Sequence, residues 1–159
     1  MLTWPPAVLS LDRQYRYFLG RRWNPEGKTI AFIGLNPSTA DETLDDPTIR
    51  RCIGFAKSWG GGTLLMVNLF AFRSTSPSAL RTASDPIGPD NEHWLERVVD
   101  NADIVVAAWG NHGELMQRGE QVRRRFAGRL HALDVTKSGM PKHPLYIAAS
   151  KSLVPFNTR

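Results

Sequence analysis

The segment from Ile30 to Ala40 constrains the fold of this chain more than any other. It reads Ile-Ala-Phe-Ile-Gly-Leu-Asn-Pro-Ser-Thr-Ala, an apolar run that passes through a glycine into a polar turn. Such a run is typical of a buried strand, and its polar end predicts a site at the carboxyl edge of an open α/β sheet. Pro37 fixes the turn and disfavours helical backbone angles at Asn36, so we expect the Asn36 amide to be presented at that edge.

Strand-like and helical segments alternate along the rest of the chain. Strands are predicted at 15–19, 29–33, 63–72, 103–112 and 130–135, and helices at 47–59, from residue 90 onward and at 114–127. The stretch 73–90 is rich in Ser, Thr, Pro and Asp, which predicts a long loop with one helical turn near Pro77. The alternation predicts an α/β fold, a three-layer α/β/α sandwich with a mainly parallel central sheet whose first strand is antiparallel and peripheral.

Composition narrows the class of protein. The chain has 159 residues, 42% of them hydrophobic, and no Pro/Gly/Ser linker divides it, so we expect a single domain over residues 1–159. No apolar stretch approaches the roughly 20 residues of a membrane span, and the first six residues lack the order of a secretory signal. We therefore expect a cytoplasmic protein with no membrane partner, no obligate protein partner and no cofactor. The single cysteine, Cys52, lies in an apolar helical stretch, which predicts a buried structural thiol.

Positive charge is concentrated in the last third of the sequence. Residues 114–159 contain 9 Lys and Arg against 3 Asp and Glu, whereas residues 1–113 contain 11 against 12. A local positive field is typical of a protein that binds a polyanion such as nucleic acid. A solvated basic helix face around Arg123, Arg124 and Arg125 accounts for the same pattern.

Polar residues follow each of the predicted buried strands. Asn36, Asn68 and the pair Asn111 and His112 stand at such strand ends, and the stretch 137–146 follows the last strand. We expect these groups to gather at one edge of the sheet, which would form a ligand pocket. The last stretch holds Lys142 and His143 between two prolines, and a histidine held in this way can donate a hydrogen bond to developing negative charge.

The order of these motifs resembles the uracil-DNA glycosylase superfamily, and resembles more closely a sparsely characterised bacterial family of short proteins with the same Asn-Pro-Ser-Thr-Ala opening. Gly34–Pro37 looks like the turn with which that superfamily places a water molecule, and Leu65–Asn68 is similar to the strand end that reads a base edge. Ala108–His112 matches the Trp-Gly-x-His strand end, and Lys142–Leu145 looks like a short form of the His-Pro loop that stabilises the leaving base.

This resemblance implies a uracil-DNA glycosylase-like fold and a hydrolase for the N-glycosidic bond of a damaged or modified base, in DNA or in a nucleotide, with a role in DNA repair. It implies that Asn36 positions the water and that His143 stabilises the departing base, with Asp45 or Asp46 as an alternative general base. Phe70 or Phe72 could stack on the base. The positions expected to bind the base or nucleic acid are Gly34, Leu35, Pro37, Ser38, Asn68, Phe70, Phe72, Trp109 and Lys142.

Structural roles compete with each of these assignments. Asn36 could cap a helix, Asp45 and Asp46 could cap the helix that starts near Pro47, and Asn68 could make a purely structural hydrogen bond. Phe70, Phe72 and Trp109 could belong to the core, and His112 could cap the following helix.

Two features favour a second hypothesis, a non-catalytic nucleotide-binding or nucleic-acid-binding protein with the same pocket. The His143-Pro144-Leu145-Tyr146 loop lacks the serine and second proline of the superfamily, and the acidic segment 41–48 would repel phosphate. A third hypothesis is a hydrolase of another bond that uses Asp45 or Asp46 with His143. The chain has residues that can bind metals, Asp45, Asp46, His112 and His143, but their spacing defines no site, so no metal is predicted.

Overall fold

The computed structural model describes residues 3–156, in which the strands form one seven-stranded sheet. The strands are β1 (Ala7–Leu9), β2 (Arg16–Arg22), β3 (Lys28–Gly34), β4 (Gly61–Asn68), β5 (Ile104–Ala107), β6 (Leu130–Ala132) and β7 (Val154–Pro155). The helices are α1 (Pro47–Ser58), α2 (Asn91–Asn101) and α3 (Arg118–Arg125), with short 3₁₀ segments at Pro77–Arg81, Asn111–Gln117 and Pro144–Tyr146. The predicted α/β class and the predicted helical turn near Pro77 are confirmed.

The sheet is mixed, so the prediction of a mainly parallel sheet is wrong. Its strand order is β1-β2-β4-β3-β5-β6-β7. The β4-β3, β3-β5 and β5-β6 pairs are parallel, whereas β1-β2, β2-β4 and β6-β7 are antiparallel. The outermost strands β1 and β7 have only three and two residues, too few for a recognisable period-two pattern. The predicted antiparallel pairing of the first recognised strand, β2, is confirmed, but its predicted peripheral position is wrong, because β1 pairs with its outer side.

Helices cover both faces of the sheet. Alternate residues of the central strands enter two separate hydrophobic clusters, because successive side chains of a strand point to opposite faces. Ile30 and Phe32 of β3 pack with residues of α1, whereas Ala31 and Ile33 pack with residues of α2 and α3. Cys52 of α1 is fully buried in the first of these clusters, as predicted, and burial raises the pKa of its thiol.

Local chemistry explains where α1 begins and ends. Pro47 is the first helical residue, and the Asp46 carboxylate accepts a hydrogen bond of 2.9 Å from the Ile49 amide. The helix ends before Gly60, whose φ of 79° lies in the left-handed region that glycine adopts at low cost. The predicted helix at 47–59 and the predicted cap at Asp46 are confirmed.

Four predicted elements are shorter in the structure, and two of them are the strands predicted over 103–112 and 130–135, which end at Ala107 and Ala132. The basic helix begins at Arg118 rather than at residue 114, because Met116 and Gln117 have positive φ angles of 55° and 54°. The strand predicted over 63–72 ends at Asn68. The backbone carbonyls of Asn68 and Leu69 turn to accept hydrogen bonds of 2.9 and 3.0 Å from Nδ2 of Asn91, the first residue of α2.

Three arginines of the last third form ion pairs with α2. Arg118 pairs with Glu92, and Arg125 lies 2.8 Å from Glu92 and 3.2 Å from Glu96. Arg129 lies 3.0 Å from Asp100. The Arg123 guanidinium lies 4.1 Å from the Phe156 ring centroid. None of the helices in residues 3–156 has the length and apolar character needed to cross a bilayer.

Candidate functional site

A cavity of about 710 Å³ lies where β3, β4 and β5 end. The polar groups that follow these strands gather there, as the parallel order of the three strands dictates. The predicted site residues that line the cavity are Gly34, Leu35, Asn36, Pro37, Ser38, Asp46, Asn68, Trp109, Lys142 and His143.

Gly34 and Asn68 form the floor of this pocket as partners on adjacent parallel strands. A Cβ atom at Gly34 would lie 2.6 Å from Oδ1 of Asn68 and 2.8 Å from Cε of Met66. Only glycine therefore leaves room for the Asn68 amide at the strand end. Asn68 is 2% exposed, and its Nδ2 has no hydrogen-bond partner. A buried donor without an acceptor is costly, which marks Asn68 as a group that a ligand would satisfy.

Asn36 connects the turn that follows β3 to the loop that follows β4 through hydrogen bonds. Its Nδ2 lies within hydrogen-bond distance of the carbonyls of Pro37, Phe72 and Ser74, at 3.2, 3.3 and 3.1 Å. The Ser74 amide in turn donates to the Pro37 carbonyl at 2.9 Å. These contacts orient the amide and leave Oδ1 outside the network. Asn36 does not cap α1, since Asp46 does so.

Asp46 combines the helix cap with a position in the pocket wall. Its Oδ1 accepts from the Ile49 amide at 2.9 Å and its Oδ2 from the Ala40 amide at 3.4 Å. The residue is 8% exposed, so the carboxylate is held with little freedom. Asp45, the alternative general base, lies outside the pocket lining and forms an ion pair of 2.8 Å with Arg21. Of the two aspartates that the sequence offered as a general base, Asp46 lines the pocket and Asp45 does not.

His143 is fixed by its own loop. Its Nδ1 accepts a hydrogen bond of 3.2 Å from the Leu145 amide, at the start of the 3₁₀ segment Pro144–Tyr146. An accepting Nδ1 places the proton of neutral imidazole on Nε2, which becomes a donor. Burial lowers the pKa of His143, while the negative charge of Asp46 acts in the opposite direction. The neutral donor form is thus favoured at neutral pH.

The loop that carries His143 is attached to α1. Arg51 of α1 donates to the Pro144 carbonyl at 3.4 Å and also to the Ile147 carbonyl. Lys142, next to His143, lies 3.4 Å from Asp134 at the pocket rim. Tyr146 also lines the pocket, is 83% exposed, and has its ring centroid 5.9 Å from that of His143.

The structure places the two phenylalanines proposed for base stacking away from the pocket. Phe70 is fully buried in the hydrophobic core, and Phe72 packs edge-on against Tyr15 beside that core. Both lie beyond the end of β4, in a part of the following loop that does not line the pocket. Trp109 does line the pocket but is 1% exposed, and its indole Nε1 donates to Sδ of Met140 at 3.4 Å. The exposed aromatic ring beside the pocket is that of Tyr146.

Sequence reasoning missed Arg16, at the start of β2. Because β2 runs antiparallel to β4, its first residue lies at the edge where the parallel strands end. Arg16 lines the pocket, is 2% exposed, and donates from Nη1 to the Ala40 carbonyl at 3.1 Å. The signal was present in the sequence as one charged residue inside the apolar run 15–19.

Metal ligation finds no support in the described part of the chain. Within residues 3–156, no three His, Cys, Asp or Glu side chains come together as a metal ion would require. His112 is exposed at the pocket edge, in the 3₁₀ segment Asn111–Gln117. Its neighbour Asn111 accepts hydrogen bonds of 2.7 Å from the hydroxyls of Thr136 and Ser138.

Comparison with known proteins identifies a family for this chain. A family described as "Protein of unknown function (DUF1643)" has a model that matches residues 16–145. The chain belongs to this family. No curated protein and no solved structure matches it.

The DUF1643 match contains the charged and amide side chains of the pocket described above, whereas Tyr146 lies just outside it. It begins at Arg16 and ends two residues after His143, so Asn36, Asp46 and Asn68 also fall within it. The family description assigns no activity, and a fold alone does not assign one either. The chemistry of the pocket is therefore the basis for inferring function. The pocket contains the fixed carboxylate of Asp46, the imidazole donor of His143, the free amide oxygen of Asn36 and the buried guanidinium of Arg16.

Proposed function

We propose that this protein is a hydrolase that cleaves the N-glycosidic bond of a nucleobase, as the motif order of the uracil-DNA glycosylase superfamily suggested. The observation that carries the proposal is the pairing of an oriented imidazole donor with a fixed carboxylate in one pocket. Nδ1 of His143 accepts a hydrogen bond from the Leu145 amide, and the negative charge of Asp46 acts on His143 in the same pocket.

These groups match the charges that develop when an N-glycosidic bond breaks. The sugar becomes positive and the departing base becomes negative as the bond lengthens. Asp46 stabilises the positive sugar and accepts a proton from the attacking water, while Nε2–H of His143 donates to the base. Oδ1 of Asn36 positions the water, because its Nδ2 is already engaged by backbone carbonyls. Asn68 reads the base edge. We place this activity in the cytoplasm.

Base release tests the proposal directly. Purified protein is incubated with nucleosides, nucleotides and single-stranded and double-stranded oligonucleotides that carry normal, deaminated or alkylated bases, and free base is measured by chromatography. We expect release from at least one substrate and a loss of about 100-fold or more in His143→Asn, since a positioned acid contributes this much. Asparagine keeps an acceptor for the Leu145 amide, so the loop conformation is preserved.

Arg124→Met is the control for this experiment. Arg124 is exposed and lies outside the pocket, so the variant should keep the wild-type rate. Absence of release across the whole panel, or full activity in His143→Asn, would contradict the proposal.

The second candidate is a non-catalytic nucleotide-binding protein. The observation that favours it is the structural use of the polar groups: Asp46 caps α1 and the Nδ2 of Asn36 links two loops. This candidate predicts saturable nucleotide binding without any base release.

A further inference from the structure

We propose that the pocket takes a free nucleoside monophosphate and that Arg16 binds its phosphate group. The substrate class named here rests on the proposed function for its chemistry, whereas the binding itself can be tested without turnover. Arg16 lies at the pocket edge of β2 and is not part of any motif from which the function was inferred.

Arg16 is a buried cation with unused hydrogen-bonding capacity. Its Nη1 donates to the Ala40 carbonyl at 3.1 Å, and its Nε is buried without a partner. No carboxylate among residues 3–156 lies within the 4.0 Å of an ion pair with this guanidinium. Asp46 attracts the charge from a greater distance, but its oxygens face the amides of Ile49 and Ala40.

The energetic cost of this arrangement points to an anionic ligand. A charge that is removed from water must be compensated by a partner or by its deprotonation. Burial lowers the pKa of Arg16 to about 10, which still leaves the side chain charged at neutral pH. An oxyanion in the pocket would supply the missing acceptors, and a guanidinium binds phosphate with two parallel hydrogen bonds.

The other donors of the pocket fit the rest of a nucleotide. Nδ2 of Asn68 is a second buried donor without a partner, and the carbonyl oxygen of a base would satisfy it. The ring of Tyr146, which is 83% exposed, lies beside His143 and can stack on the face of the base. A volume of about 710 Å³ falls within the usual size of a small-molecule pocket.

Charge around the pocket favours a small ligand over a polynucleotide. Binding of a nucleic-acid strand requires a row of cationic side chains that follows the successive phosphate groups. The cationic side chains among the described lining residues are Arg16 and Lys142, and Lys142 faces Asp134. Asp41 and Glu42, on the segment that precedes α1, add negative charge near the cation Arg13. One buried arginine serves one phosphate group, whereas a strand needs several contacts.

Calorimetric titration tests the assignment. Adenosine, cytidine, uridine and inosine are compared with their 5′-monophosphates on wild type, Arg16→Met and Arg124→Met, and each mixture is analysed afterwards for free base. We expect wild type to bind at least one monophosphate about tenfold or more tightly than its nucleoside, since hydrogen bonds to charged groups contribute this much. Arg16→Met should bind both forms alike, whereas Arg124→Met, which removes the same charge from an exposed site, should keep the wild-type preference.

A second variant covers the case in which Arg16→Met does not fold. Arg16→Gln keeps a polar side chain that can donate hydrogen bonds and removes the charge, so it should also lose the preference for the monophosphate. Equal binding of nucleosides and monophosphates by wild type, no binding of either form, or a preference that survives in the folded Arg16 variants would overturn the proposal. Preferential binding of a monophosphate without any released base would support the phosphate site at Arg16 and would contradict the proposed hydrolase activity.

Discussion

At the scale of single residues, the chemistry of the pocket depends on which atoms are already engaged. His143 uses Nδ1 within its own loop and presents Nε2, and Asn36 uses Nδ2 between two loops and leaves Oδ1 outside that network. Both side chains thus have one polar atom fixed by the backbone and another for a ligand. Such fixation removes the rotational freedom that a reacting group would otherwise lose on binding.

The lowered pKa of His143 leads to a prediction about stability and pH. The unfolded chain takes up a proton at the ordinary histidine pKa, whereas the folded protein does so only at lower pH. The contribution of this residue to stability is therefore full above the unfolded pKa and is lost as the pH falls through the folded one.

Thermal unfolding of wild type and His143→Asn between pH 7.5 and pH 5 provides the measurement. Wild type should lose more stability on acidification than the variant, which cannot titrate at this position. An equal loss in both proteins would show that folding does not alter the protonation of His143.

At the scale of secondary-structure elements, the N-terminus of α1 contributes both to the stability of the fold and to the wall of the pocket. Its N-cap, Asp46, satisfies the Ile49 amide and also faces the cavity. The same carboxylate therefore serves the helix through its hydrogen bond and the pocket through its charge. Substitutions can separate these two contributions, because asparagine caps helices about as well as aspartate does.

Asp46→Asn and Asp46→Ala are expected to differ in stability but not in activity. Asp46→Ala removes the cap and should lower the free energy of unfolding by about 1 kcal/mol, whereas Asp46→Asn should stay near wild type. Both variants lack the carboxylate, so both should lose base release. Chemical denaturation and the base-release assay make the comparison, and an active Asp46→Asn would exclude the carboxylate from the chemistry.

At the scale of the whole molecule, the excess of Lys and Arg in the last third of the sequence is partly offset by acidic residues of α2. Arg125 and Arg129 form ion pairs with residues of α2, and Arg118 is buried against the same helix. These pairs join α3 and the chain that follows it to α2. The net charge of a sequence segment is thus a poor guide to its surface when the opposite charges come from another segment.

We accordingly expect weak binding to duplex DNA. An electrophoretic mobility shift with a 20-base-pair duplex in 150 mM salt should show no complex at micromolar protein concentrations, because the described pocket lining presents two cationic side chains, Arg16 and Lys142, and Lys142 is paired with Asp134. The same experiment in low salt controls for non-specific attraction. A tight complex at 150 mM salt whose affinity falls steeply with further salt would contradict this expectation.

The sequence predicted the parts of the structure that local patterns determine. Asn36 and His143 could be placed in a common pocket because each follows a predicted buried strand, and the adjacent prolines restrict the chain locally. Asp46 could be recognised as a cap from Pro47 and the helical pattern after it. The apolar runs identified β3 and β4 for the same reason.

The remaining features depend on distant contacts. The stacking role of Phe70 was predicted from a strand continued past Asn68, whereas Asn91 and Arg118 hold the Asn68 and Leu69 carbonyls and thereby end that strand. Arg16 was missed because its burial depends on Ala40 and Asp46, which lie far along the chain. The edge strands β1 and β7 are defined by their pairing with β2 and β6, which a short stretch of sequence does not reveal.

The contact of Arg51 with the Pro144 and Ile147 carbonyls ties the His143 loop to α1. The same helix is capped by Asp46. The acid and the base of the proposed reaction thus belong to one braced unit.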